Sequence, residues 1–239
     1  MAGAGDICQS MVLAPEEWEI VRLSLKVSVV AIALTLPVAF ALAYLLARAR
    51  FPGKALVDGL VHLPLVLPPV VIGWLLLLAF GRQGPLGAWL ATWFGVTVIF
   101  RWTGAALAAA IMALPLMVRA IRLSLEAVDR RLEGAARTLG AGRWRTFASV
   151  TLPLCLPGIL AALVLGFARA IGEFGATITF VSNIPGETRT LPLAIYGALQ
   201  VPGGEAAVTR LALVSVALSL AALIASEWLT RRGSGGHVL

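Results

Sequence analysis

Five apolar stretches constrain this chain more than any other feature: 27–47, 60–80, 102–118, 153–171 and 211–228. Each has about the twenty residues that a helix needs to cross a bilayer core. Inside lipid the backbone must satisfy its own hydrogen bonds, so isolated runs of this length specify helices. With 59% hydrophobic and only 13% charged residues, the chain meets membrane lipid along much of its length. That composition excludes the one or two soluble domains that 239 residues would otherwise allow. The expected fold is an all-α membrane protein, a single transmembrane domain over 1–239 with about five transmembrane helices.

The net charge of +7 does not mark a nucleic-acid surface, because the basic residues gather at the ends of the apolar runs. Arg48, Arg50 and Lys54 follow the first run, Arg119 and Arg122 the third, and Arg231 and Arg232 the last. The segment after the third run adds Arg130, Arg131, Arg137, Arg143 and Arg145, whereas the arginines on the opposite side are Arg22, Arg82, Arg101, Arg189 and Arg210. Lysine and arginine collect in cytoplasmic loops, so the N-terminus is expected outside and the C-terminus in the cytoplasm. Between the fourth and last runs, the apolar pieces 176–181 and 191–199 are too short to cross. That region reads as a continuation of the fourth span and an outer loop. Another loop, with Gly81, Gly84, Pro85 and Gly87, follows the second run, and Trp89, Trp93 and Trp102 are candidate interfacial residues.

The second run contains Pro64, Pro68 and Pro69. Prolines remove backbone donors and free carbonyls, which is tolerable in a membrane only against protein or a wet cavity. This run is expected to face the interior, with Pro68 and Pro69 beside a pathway.

A basic, partly polar island spans 128–150, between the third and fourth runs. Leu132, Ala135, Ala136 and Leu139 recur at helical spacing, Asp129 can cap the N-terminus, and Gly140 can supply the left-handed residue that ends a helix. Gly134, Ala135 and Ala136 leave one side nearly bare, so the backbone can sit deep in a partner's groove. Arg137, Arg143 and Arg145 can reach acidic groups around it. Pro153 then opens the next span.

The small residues, then Leu-Gly, then Leu-Pro resemble the "EAA" coupling loop of binding-protein-dependent ABC transporter permeases. The resemblance implies a docking role for Glu133, Ala135, Ala136, Gly140, Arg143 and Pro153 in a cleft of an ATPase subunit. One departure is that Gly134 stands where the motif carries its glutamate, the acid lying one residue earlier at Glu133.

Ionisable residues recur in 168–192. Arg169 and Glu173 end an apolar run, where charges are costly unless paired or hydrated. Four residues apart on a helix, they can pair with each other. Alternatively they mark a gate, with Gly172 and Gly175 allowing close helix packing and Thr177, Thr179, Ser182 and Asn183 offering donors to a passing anion. His62, near Asp58, reads as an interfacial hydrogen-bonded residue.

The run Gly172-Glu173-Phe174-Gly175-Ala176-Thr177-Ile178-Thr179-Phe180-Val181-Ser182-Asn183, with His62 to Pro69 before it and Pro202 to Glu205 after it, resembles the molybdate ABC transporter permeases. Sulfate permeases are relatives with a similar Gly-Glu-Phe-Gly segment. The resemblance implies a multi-pass permease of the bacterial inner membrane that moves molybdate, and possibly tungstate, by alternating access. It implies a homodimer, two cytoplasmic ATPase subunits carrying ATP and Mg, and a periplasmic molybdate-binding protein.

The residues themselves carry no phosphate-binding loop, His-Glu-x-x-His or Gly-x-Ser-x-Gly, so no catalytic role and no cofactor bound by this chain are expected. Cys8 and Cys155 are far apart and form no metal-ligand spacing, so no metal site is expected. A permease for sulfate or another tetrahedral oxyanion remains the alternative. A membrane-embedded enzyme or an anchor subunit is the reading from a different class.

Overall fold

The computed structural model describes residues 13–234, with side chains up to Ile224 apart from Leu223. Cys8 and the side chains of Arg231 and Arg232 lie outside the described residues. The fold is all-α. α1 (Pro15–Arg48) is followed by α2 (Lys54–Val66), α3 (Pro69–Phe80), α4 (Pro85–Phe94) and α5 (Trp102–Ala127). Next come α6 (Arg130–Thr138), α7 (Arg143–Thr146), a π-turn (Phe147–Thr151) and α8 (Leu152–Ile171), then α9 (Gly175–Val181), α10 (Leu191–Leu199) and α11 (Glu205–Ser234). Among the described residues, four helical rods are long and apolar enough to cross a membrane, or up to five if α2 and α3 together make one broken span.

α1, α5 and α8 form the heart of the bundle, and their shared core is built largely from alanine. Ala31, Ala39 and Ala43 of α1, Ala105, Ala108, Ala109 and Ala113 of α5, and Ala162 of α8 are buried together with Met117, Ile121 and Leu125. Lipid tails are as apolar as leucine, so helices in a membrane gain little by burying large apolar groups and associate through close backbone packing. Gly166 shows how close this is: a β-carbon there would lie 2.7 Å from Met117 Sδ and 2.9 Å from Ile32 Cδ1.

Several elements differ from the boundaries that hydropathy suggests. The expected span 60–80 is two helices, α2 and α3, bent by 113°. The break falls at Leu67 and Pro68, both extended, with ψ of 142° and 134°. A residue that precedes proline is driven out of the helical region, and consecutive prolines apply that rule twice. The run at 102–118 continues to Ala127 because arginines are good helix formers and Arg119 and Arg122 do not stop it. α1 likewise starts at Pro15, well before residue 27.

Pro153 stands in the first turn of α8, as expected, but the helical rod begins earlier and runs continuously from Arg143 to Ile171. The intervening π-turn shifts the hydrogen-bond register, with Leu152 N–H donating to Phe147 O, and so accommodates a residue that has no N–H to donate. The stretch after 172 is not a continued span but a break, the short helix α9, a turn and α10. The loop after α3 contains the ten-residue helix α4, none of whose residues is buried.

Candidate functional site

The first candidate segment is α6 with the turn behind it. Asp129 caps it, its Oδ1 accepting the Arg131 N–H at 2.9 Å. At the other end Gly140 has φ of +85°, the left-handed geometry that glycine adopts without steric cost. No residue of α6 is buried. Beside it Leu139 is 88% and Trp144 85% exposed, and Arg137, Arg143 and Arg145 are exposed as well. Large apolar and cationic groups therefore project around a face where Gly134 and Ala135 are small and exposed and Ala136 is half-buried.

Glu133 points inward. Its Oε1 receives Arg48 Nη2 of α1 at 2.7 Å and Thr151 Oγ1 of the π-turn at 2.8 Å. Local sequence reasoning missed both partners. The available signal was Glu133 itself, an acid at the head of a segment otherwise rich in arginine.

The second candidate segment lies at the break between α8 and α9. Arg169 and Glu173 form an ion pair one helical turn apart at 2.5 Å. Glu173 is 3% exposed, and its Oε1 also accepts the Ala176 N–H of α9 at 2.8 Å. One carboxylate thus joins the end of α8 to the start of α9, and the charge is compensated on both sides, as a buried carboxylate requires. Gly172 forms the end of α8.

The structure brings the two prolines and the glycine-rich segment together. A β-carbon on Gly73 of α3 would lie 2.6 Å from Ala176 O and 2.8 Å from Thr179 Cβ, so α3 and α9 pack backbone to backbone. Pro69, at the start of α3, touches Gly175. Two of the four polar residues expected to offer donors, Thr179 and Asn183, make side-chain hydrogen bonds within the fold. Thr177 is buried, and Thr179 Oγ1 donates to Gly175 O at 2.9 Å. Asn183 donates through Nδ2 to Leu193 O and accepts Arg189 Nε at its Oδ1, each at 3.0 Å. Ser182 is exposed and has φ of 63°, an uncommon conformation for a non-glycine residue. Pro68 caps α3 and is exposed.

Gly172 opens onto a cavity of about 370 Å³, also lined by Phe174, Pro192, Tyr196, Ser215 and Ser219. Among the described residues no cationic side chain lines it, so these walls offer an oxyanion no charge compensation. At the far end of α2, Asp58 accepts Arg122 Nη1 at 2.8 Å, and its backbone carbonyl lies 2.9 Å from His62 Nδ1. His62 is therefore held within a local polar cluster. The cap of α1 adds a pair that sequence did not suggest: Arg210 of α11 binds Glu17 through Nη2 at 2.8 Å and Nε at 3.0 Å.

Residues 21–234 match the model of a family described as "Binding-protein-dependent transport system inner membrane component". This chain belongs to that family. Both candidate segments fall within the matched residues. The molybdenum transport system permease protein ModB of Escherichia coli K12 is 61% identical over 92% of this chain and 96% of its own length. ModB of Haemophilus influenzae is 59% identical over 89% of this chain and 93% of its own length. The sulfate transport system permease CysT of Escherichia coli is 40% identical over 80% of this chain and 68% of its own length.

Among solved structures, a bacterial ABC transporter that imports alginate superposes with a TM-score of 0.75 at 17% identity, covering 97% of this chain and 84% of that one. The bacterial alginate transporter in complex with its pentasaccharide-bound periplasmic protein gives 0.73 at 17% identity, covering 92% and 80%. The fold is that of ABC importer permeases, and the chain is an inner-membrane component related to transport permeases.

Proposed function

We propose that this chain is the membrane-spanning permease subunit of an ATP-driven importer of molybdate. The observation that carries this reading is the 61% identity to a molybdenum permease across 92% of the chain, against 40% for a sulfate permease across 80%. Tungstate, of the same shape and charge, is expected to share the path.

Two copies pair to form the pathway, and two cytoplasmic ATPase subunits hold ATP and Mg. A periplasmic molybdate-binding protein delivers the oxyanion. The concentration of arginine around α6 supports a cytoplasmic position for that helix, an outer N-terminus and an inner C-terminus. The exposed Leu139, Trp144 and Arg143 around Gly134 and Ala135 support α6 as the surface that enters the ATPase. The junction of Pro69, Gly175 and the Arg169–Glu173 pair, where α3, α8 and α9 meet, is the proposed gate. ATP binding draws the two docking helices together and turns the pathway outward; hydrolysis returns it.

Uptake of labelled molybdate into proteoliposomes holding this chain, its ATPase and its binding protein tests the reading. ATP-dependent uptake that tungstate blocks and excess sulfate does not is the expected result. Equal competition by sulfate moves the substrate to the wider oxyanion class, and absence of ATP-dependent flux from a verified complex rejects the permease reading.

A further inference from the structure

α6 is held to the rest of the chain in an unusual way. No residue of it is buried, so apolar packing cannot transmit much force from it. Asp129 and Thr138 make hydrogen bonds only within their own segment, to Arg131 N–H and Ala135 O. Among the described residues, Glu133 is the single side chain of α6 with a hydrogen bond or ion pair to another part of the fold.

Glu133 reaches two separate rods through one oxygen. Arg48 is the last residue of α1, 85 positions away in the chain, and its side chain is 13% exposed. Thr151, 3% exposed, is the last residue of the π-turn inside the α7–α8 rod. π-turns cost regular helix hydrogen bonding and recur where a helix does something besides span. A purely structural tether here would be better made from apolar groups, because desolvating an ion pair offsets most of its attraction. Arg48 Nε is moreover buried without a hydrogen-bond partner. What the polar cluster supplies, and apolar packing does not, is a directional link of fixed length between three elements.

We propose that Arg48 is a positioning residue for energy coupling: through Glu133 and Thr151 it locks the docking helix to the end of α1 and to the π-turn, so that a push on α6 moves both rods together. This rests on the permease reading above and extends it. Glu133 then acts inward, on its own chain, while the small residues beside it meet the ATPase. The displacement of the acid to position 133 fits that division, since Gly134 is exposed with nothing within 4 Å of a β-carbon built on it.

The test has two arms, both on the assembled complex with its ATPase and binding protein. In the first, ATP hydrolysed per molybdate imported is measured for wild type, Arg48→Ala, Glu133→Gln and the swap Arg48→Glu with Glu133→Arg. Either single variant is expected to raise that ratio about tenfold, within the usual span of coupling between linked sites, and the swap to recover most of it. A ratio unchanged in both single variants, in complexes that assemble normally, overturns the proposal.

In the second arm a spin label is placed at Arg50→Cys, in a chain with Cys8 and Cys155 replaced by alanine. The label is read with and without ATP, so this arm needs no transported substrate. ATP is expected to shift the label spectrum with Glu133 present and not with Glu133→Gln; an equal shift in both overturns the proposal. A wild-type complex that imports no oxyanion strikes the permease reading instead, and the label arm still decides whether α1 follows α6.

Discussion

Pro69 and Gly175 stand so close that a β-carbon built on Gly175 would lie 2.8 Å from Pro69 Cβ. They belong to α3 and α9, on either side of a 106-residue separation (175 − 69), and they mark where two short helices that cannot span a membrane alone lean on each other. Gly73 repeats the close approach one turn along α3.

Substitution at this junction is expected to separate the two helices. Gly73→Ala must displace backbone rather than a flexible side chain, since the nearest atom is Ala176 O. The expected loss is about 1–3 kcal/mol, the usual penalty for overpacking. Thermal unfolding of the purified chain in detergent checks it, with a melting temperature equal to wild type as the contrary outcome. Gly175→Val is expected to reduce molybdate uptake further than Gly175→Ala.

Glu173 does two jobs, pairing with Arg169 and capping α9, and the two can be separated. Arg169→Ala leaves a buried carboxylate uncompensated, at an expected cost of about 3–5 kcal/mol. Glu173→Gln keeps an oxygen for the Ala176 N–H and removes the charge, so it should be milder than Glu173→Ala. The double variant Arg169→Ala with Glu173→Gln should be more stable than Arg169→Ala alone. Additive losses in a double-mutant cycle would show that the two residues act separately.

At α6 the structure distinguishes backbone from surface effects. Gly140→Pro demands φ near −65°, against the observed +85°, and should disrupt the end of the helix. A β-carbon at Gly134 meets nothing within 4 Å, so Gly134→Leu should not lower the melting temperature. If α6 enters a groove of the ATPase, Gly134→Leu should nevertheless lower co-purification of that subunit about tenfold, the effect expected of a bulky intrusion at the centre of an interface. Undiminished co-purification would place the docking face elsewhere.

Glu17 and Arg210 tie the first turn of α1 to α11 across 193 residues of sequence. Glu17→Gln is expected to lower the melting temperature, and Glu17→Asp, which keeps the charge but shortens the reach, to lower it less. The comparison is a thermal scan of both variants under identical detergent conditions, and equal melting temperatures for wild type and Glu17→Gln would assign the pair no stabilising role.

Much of the architecture could be read before any coordinates. Asp129 as a cap and Gly140 as a terminator bound α6 because both signals act within one helical turn. The prolines at 68 and 69 suggested a segment facing the interior, whereas the structure leaves both exposed and makes them the site of a 113° break. Hydropathy placed the rods but misjudged their ends, since Arg119 and Arg122 stay helical and Pro153 sits inside a rod re-registered by the π-turn. The donors proposed at Thr179 and Asn183 were sound as chemistry. Thr179 gives its one hydroxyl proton to the local carbonyl Gly175 O, and Asn183 gives one of its two amide protons to Leu193 O, which the fold brings near.

The sequence by itself determined the apolar rods and the cap and terminator of α6, because hydropathy and end signals operate over short stretches and lipid leaves the backbone no other choice. The tertiary structure decided which distant charges meet, Arg48 with Glu133 and Glu17 with Arg210, while Arg169 with Glu173 is the local pair that helical spacing already offered. Most of those encounters depend on where rods cross. In a membrane, where lipid is as apolar as a partner helix, crossing points are set by small residues and backbone contacts that no hydropathy pattern encodes.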